Sequence, residues 1–188
     1  MPNLDIQQPR TEPKAYNNTA IVFHWLIALL IFLNFAMGLY METFPKHTPS
    51  NDAVLFYHAS LGSLVFMLAV ARLLWRLRHR PLALPDSIAK WQLTASHLLH
   101  WLLYVLMLAV PLSGIIHRQA GAHPVSFFGL GALPTVVAQN EPLRLFTDTL
   151  HETLVWVLAI LVLGHIAAAL KHRFIDRDAV LKRMLRRF

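Results

Sequence analysis

Four stretches of the chain are apolar and almost free of charge: 20–41, 53–75, 97–116 and 149–170. Polar, proline-bearing segments separate them. Each stretch has about the 20 residues that a helix needs to cross a hydrocarbon core about 30 Å thick. In lipid the backbone must satisfy its own hydrogen bonds, so these stretches predict helices. The alternation of apolar and polar residues that marks a membrane barrel is absent. The pattern predicts an all-α, integral membrane four-helix bundle, a single domain over 1–188, with a polar tail at 1–19 and a basic tail at 171–188. Asn17, Asn18 or Thr19 can cap the first helix. Pro45 and Pro49 fall in the first loop. Pro81 and Pro85 fall in the second, before a short amphipathic stretch near 88–93. Pro111 lies inside the third helix, where a kink is expected. The longest loop, 117–148, contains an apolar run at 126–134 suited to the membrane surface. The segment 179–188 reads as basic and amphipathic, suited to anionic lipid.

Charge adds an orientation. Of 17 Lys and Arg residues, all but Lys46, Arg118 and Arg144 lie in the two tails, in the middle loop or at the helix end beside it. The positive-inside rule then puts the N- and C-termini in the cytoplasm. Topology therefore accounts for the net charge of +7, and nothing further calls for nucleic-acid binding. The first 19 residues are polar, and no small-residue cleavage site follows the first apolar run, so no cleavable signal peptide is expected. Cysteine is absent. That removes disulfides, Fe–S clusters, thiolate ligation of haem and covalent haem attachment.

Histidine changes the picture most. The chain has 11, and several fall within the apolar stretches, where an ionisable residue is costly and points to function. His24 lies near the cytoplasmic end of helix one and His58 near the external end of helix two. His97 and His100 open helix three from the cytoplasm. Helix four carries His151 near its external end and His165 toward the cytoplasm. Those two are fourteen residues apart, about 40° short of four turns, so they share a face and stand about 21 Å apart along the axis. One helix thus offers an imidazole to each of two cofactors stacked across the bilayer. Topology supplies partners at matching depth, His58 for His151 and His24 for His165. Neutral imidazole is a good ligand for haem iron.

The same interval recurs. Gly38 follows His24 by fourteen residues and Gly114 follows His100, and either glycine would let a flat macrocycle approach the backbone. Arg72 follows His58 by fourteen, at the depth of the inner site, where it would meet a haem propionate or a quinone. Plainer roles exist for each. An intramembrane histidine can hydrogen-bond another helix, Arg72 can snorkel to the interface, and the glycines can serve helix packing. His97 and His100 can be interfacial hydrogen-bonders. His47, His79, His117, His123 and His172 read as solvated loop or end residues. A di-metal site would want more carboxylates at these depths than the chain supplies.

Eight short stretches, in order along nearly the whole chain, carry a family resemblance. They are Val22-Phe-His-Trp-Leu26, Tyr57-His-Ala-Ser-Leu-Gly62, Val70-Ala-Arg-Leu-Leu-Trp-Arg-Leu77 and Ser96-His-Leu-Leu-His100, then Phe128-Gly-Leu130, Leu150-His-Glu-Thr-Leu154, Gly164-His-Ile-Ala-Ala-Ala-Leu170 and Asp178-Ala-Val-Leu-Lys-Arg-Met184. In these the chain resembles the bacterial cytochrome b561 family of di-haem membrane cytochromes. The resemblance implies two non-covalent b-type haems with bis-histidine ligation. His24 and His165 would hold the inner one, and His58 and His151 the outer one. Stand-alone members of the family resemble superoxide oxidases, which pass electrons from external superoxide to ubiquinone. By that resemblance the chain is a membrane-bound oxidoreductase of the bacterial inner membrane, with quinone as substrate. His97 and His100 would serve the quinone or its proton delivery, with Trp101 and Tyr104 as further candidates for a quinone pocket. Lys46, Arg118 and Arg144 would steer an anionic donor. Two rivals remain open: a cytochrome b anchor subunit passing electrons between a peripheral enzyme and quinone, and a haem-free membrane interaction or transport protein.

Overall fold

The computed structural model describes residues 16–79 and 89–185. The expectations for the outermost N-terminal tail, for Pro81 and Pro85, and for Arg186 and Arg187 lie outside the described residues. Among the described residues there are four helices, α1 (Asn18–Met41), α2 (Pro49–Arg78), α3 (Lys90–Ala120) and α4 (Glu141–Phe174), followed by one 3₁₀ turn at Leu181–Met184. All four are long and apolar enough to cross a membrane. The chain is a multi-pass, all-helical membrane protein.

The helices run beyond the apolar stretches because local chemistry, and not hydropathy, sets their ends. Asn17 caps α1, its side-chain oxygen accepting from Ala20 N at 2.8 Å. Thr48 caps α2 at Asn51 N, with Pro49 in the first turn, where a missing N–H costs nothing. Asn140 caps α4 at Leu143 N (2.9 Å), again with a proline in the first turn. Glu141 stands at the N-terminus of α4, and Lys171, His172 and Arg173 fill its last turn, both in the sense the helix dipole favours. As a result His117 and Arg118 belong to the last turn of α3, and Arg144 to the first turns of α4. The loop between them shortens to 121–140. Helix α3 is continuous through Pro111, and its first turns absorb the amphipathic stretch before residue 97.

Neighbouring helices pack in chain order, α1 on α2, α2 on α3 and α3 on α4. Ile27, Ala69, Tyr104 and Met107 form the buried centre between the first three, with Phe23, Ile31, Leu68, Leu73 and Leu108 against it. Large apolar side chains such as Leu29, Val105, Ile160 and Leu163 face outward. On a soluble protein such a surface would aggregate; on a spanning bundle it meets lipid.

The first and last described residues lie at one end. Tyr16 N donates to Arg183 O (3.1 Å) and Trp25 Nε1 donates to Met184 O (2.9 Å), so the C-terminal turn folds back on the start of α1. His172 meets Asp178 at 2.6 Å and Lys171 pairs with Asp176, which together shape the bend before that turn. Within the described residues, 179–185 is thus a short turn held by the bundle. At the opposite end the loop 121–140 is folded. The Gln119 amide donates to Pro134 O (2.9 Å) and accepts from Val136 N (3.0 Å). Ser60 Oγ lies 3.1 Å from Ser126 O and accepts from Phe128 N (3.1 Å), tying the loop to α2. Val125, just before the apolar run, is buried, while Leu130 within the run projects with 84% of its surface exposed.

Candidate functional site

The bundle carries a histidine cluster at each end. At the loop end His58 of α2 faces His151 of α4, ring centroids 6.3 Å apart and planes at 83°. At the terminal end His24 of α1 faces His165 of α4 at 6.1 Å and 69°. His100 of α3 joins this second cluster, 5.4 Å from His165. All five rings are half-buried. His97, one turn before His100, is exposed.

Two features of these pairs fit a metal ion held between them. A metal ion midway between two imidazole nitrogens, with bonds of about 2 Å, sets the ring centroids roughly 6 Å apart. Both pairs have that spacing. At the loop end, moreover, the protons are directed away from the gap. His58 Nδ1 donates to Asn34 O at 3.1 Å, and His151 Nδ1 donates to Val110 O at 2.9 Å with Ser113 Oγ 3.1 Å away. A carbonyl only accepts, so Nδ1 carries the hydrogen and Nε2 keeps its lone pair, the state in which a histidine binds a metal. Sequence reading could not find Asn34 or Val110 in this role, because every residue has a carbonyl.

The glycines explain how these rings are seated. A Cβ on Gly114 would fall 3.1 Å from His151 Cε1, and one on Gly38 would fall 3.4 Å from His58 Cε1. Each glycine thus gives room to an imidazole against the backbone of a neighbouring helix. Around Gly164, beside His165, a Cβ would meet nothing within 4 Å. Helix α4 packs its backbone on α3 but stands off from α1 and α2. It reaches them through rings: His165 to His24, His151 to His58, and Trp156 to Phe35 at 5.6 Å. A flat macrocycle between helices requires such separation.

Arginine collects at the terminal end. Arg72 Nη2 lies 3.3 Å from His24 Nδ1, and the same guanidinium stands 5.7 Å from the Tyr104 ring. Arg76 lies over Tyr104 at 5.2 Å and Trp101 at 5.8 Å. At the loop end the three basic candidates separate. Lys46 is exposed. Arg144 makes a bidentate pair with Glu141 (2.6 and 2.7 Å), which offsets its charge. Arg118 is half-buried, with Nη2 3.5 Å from Pro124 O. His117, expected in solvent, donates from Nδ1 to Arg144 O at 3.0 Å. His79 stacks on Trp75, centroids 3.9 Å apart.

Comparison with known proteins meets this geometry. The family model described as "Prokaryotic cytochrome b561" matches residues 15–187. The chain is 35% identical over 173 residues to "Cytochrome b561 homolog 2" of Escherichia coli, covering 92% of each. It is 29% identical to "Cytochrome b561 homolog 1" of the same species, covering 92% of this chain and 97% of the other. A protein of Yersinia pestis named "Probable superoxide oxidase CybB" is 27% identical, with 92% of this chain and 96% of that one covered. That family binds b-type haem, and imidazole pairs between membrane helices are the donors such a group takes. The chain belongs to the prokaryotic cytochrome b561 family.

Proposed function

We propose that this protein is a di-haem b cytochrome that carries electrons across the bacterial inner membrane, from superoxide at the loop end to ubiquinone. The observation that carries the reading is the pair of facing histidines at each end of the bundle, 6.3 and 6.1 Å between centroids, joined by the single helix α4. In this reading the termini are cytoplasmic, as the distribution of Lys and Arg requires. His58 and His151 hold one haem, and His24 and His165 the other. Bound haem supplies the one-electron redox chemistry.

The chain's own residues do the rest. Carbonyls of Asn34 and Val110 fix the tautomers of His58 and His151. The apolar bundle lowers the dielectric around both sites. Arg72, within reach of His24, offers a guanidinium to a propionate or a quinone oxygen. His97 lies at the cytoplasmic surface, where protons for quinone enter. Overall, two superoxide anions are oxidised to dioxygen, and one quinone takes up two electrons and two protons. The name of the Yersinia pestis relative supports superoxide as the donor.

The decisive test is haem content. Purified, fully loaded protein is expected to carry two low-spin b haems per chain, extractable by acid solvent because no thioether links exist. A pyridine haemochrome count of one or none would sink the reading. A second reading, an anchor subunit for a peripheral redox enzyme, draws on the Glu141–Arg144 pair, which thins the positive field at the loop end. It predicts co-purification with a partner and no reduction by superoxide alone.

A further inference from the structure

The terminal-end cluster contains three imidazoles. His165 faces His24 at 6.1 Å and His100 at 5.4 Å, edge to face in both cases, so two rings stand within reach of a group held by it. Hydrogen bonding distinguishes them. His100 Nδ1 lies 2.6 Å from Ser96 O, one turn earlier on α3. A carbonyl only accepts, so the proton sits on Nδ1 and Nε2 keeps its lone pair. His24 Nδ1 instead faces Arg72 Nη2 at 3.3 Å. A guanidinium only donates, so His24 holds its lone pair on Nδ1 and its proton on Nε2. His58 and His151 at the other end share the His100 pattern, each donating from Nδ1 to a backbone carbonyl. That pattern is what orients a ligating histidine and keeps Nε2 available. By this measure His100 is prepared for iron at least as well as His24.

We infer that His100 is a reserve axial ligand of the terminal-end site, able to hold iron together with His165 in place of His24. Ser96 is its positioning residue, through a backbone carbonyl that no side-chain change removes. Arg72 is the residue that biases His24 toward the other tautomer. The inference rests on the di-haem reading and adds to it a third ligand from α3, so that all four helices contribute an imidazole to the haem sites.

The test uses the full-length, haem-loaded protein. Haem is counted per chain by pyridine haemochrome, and ligation is read from low-temperature electron paramagnetic resonance. His24→Ala is expected to keep two haems, both low-spin, with the signal of one shifted. The double variant His24→Ala/His100→Ala is expected to keep one haem, with the loop-end signal unchanged, which also reports an intact fold. One haem in the single variant overturns the proposal, as do two haems in the double variant; in both cases the di-haem reading stands. Fewer than two haems in the unaltered protein overturns that reading itself. Should His24→Ala fail to assemble, His24→Gln carries the same comparison, because its amide oxygen still accepts from Arg72.

Discussion

An imidazole binds iron through a nitrogen lone pair, so what holds its other nitrogen decides whether it is ready. At the loop end two carbonyls perform that task, from Asn34 on α1 and Val110 on α3. In the di-haem reading each α4 histidine serves one site, and single substitutions should separate them. His151→Ala is expected to remove the loop-end haem and His165→Ala the terminal-end one, each leaving one low-spin haem and an intact bundle. Visible spectra of the two variants should lose different components. Unchanged spectra with two haems in both would show that α4 is not the shared ligand helix.

At the scale of elements, close approach is set by single atoms. Gly114 lets α3 lie against His151, where an added Cβ would stand 3.1 Å from the ring. Gly114→Ala should push the imidazole by a few tenths of an ångström, shift the loop-end haem signal and weaken its retention, leaving the terminal-end haem as it was. One amide, that of Gln119, makes two of the bonds that hold the loop 121–140. Gln119→Leu removes the bonds to Pro134 O and Val136 N, and an intramolecular hydrogen bond contributes about 0.5–1.5 kcal/mol net. The midpoint for thermal loss of the loop-end haem should fall, with the terminal-end haem affected less. Equal loss from both ends would mean that the loop supports the bundle as a whole.

For the whole molecule, the proposed reaction with superoxide requires that a small anion reach the loop end. Glu42, Asp52, Glu141 and Asp148 share that side with Lys46, Arg118 and Arg144, and Arg144 is paired with Glu141. The steering field therefore rests on Lys46 and Arg118 more than on Arg144. Electrostatic steering raises association rates by about 10 to 10³ and is screened by salt. Haem reduction by a superoxide-generating system should slow as ionic strength rises, and Arg118→Glu should slow it more than Arg144→Glu. Reduction by a neutral small-molecule donor should stay the same. Slow reduction by superoxide, indifferent to salt and to Arg118, would favour the anchor-subunit reading.

The sequence by itself determined the four apolar helices, because the roughly 30 Å of hydrocarbon imposes a length that hydropathy records directly. It also determined that His151 and His165 share a face of α4, since helical periodicity is a property of one element. Family membership was legible in the ordered motifs around the same histidines. The helix ends were not legible from hydropathy: the caps at Thr48 and Asn140 extend α2 and α4 through polar residues that lipid does not cover. The partners His58 for His151 and His24 for His165 followed from depth, whereas only the tertiary structure decided what holds each Nδ1 and that His100 stands as near His165 as His24 does. Those are relations between separate helices, fixed by how α1 to α4 pack, and backbone carbonyls such as those of Asn34, Ser96 and Val110 leave no trace in the identity of a residue.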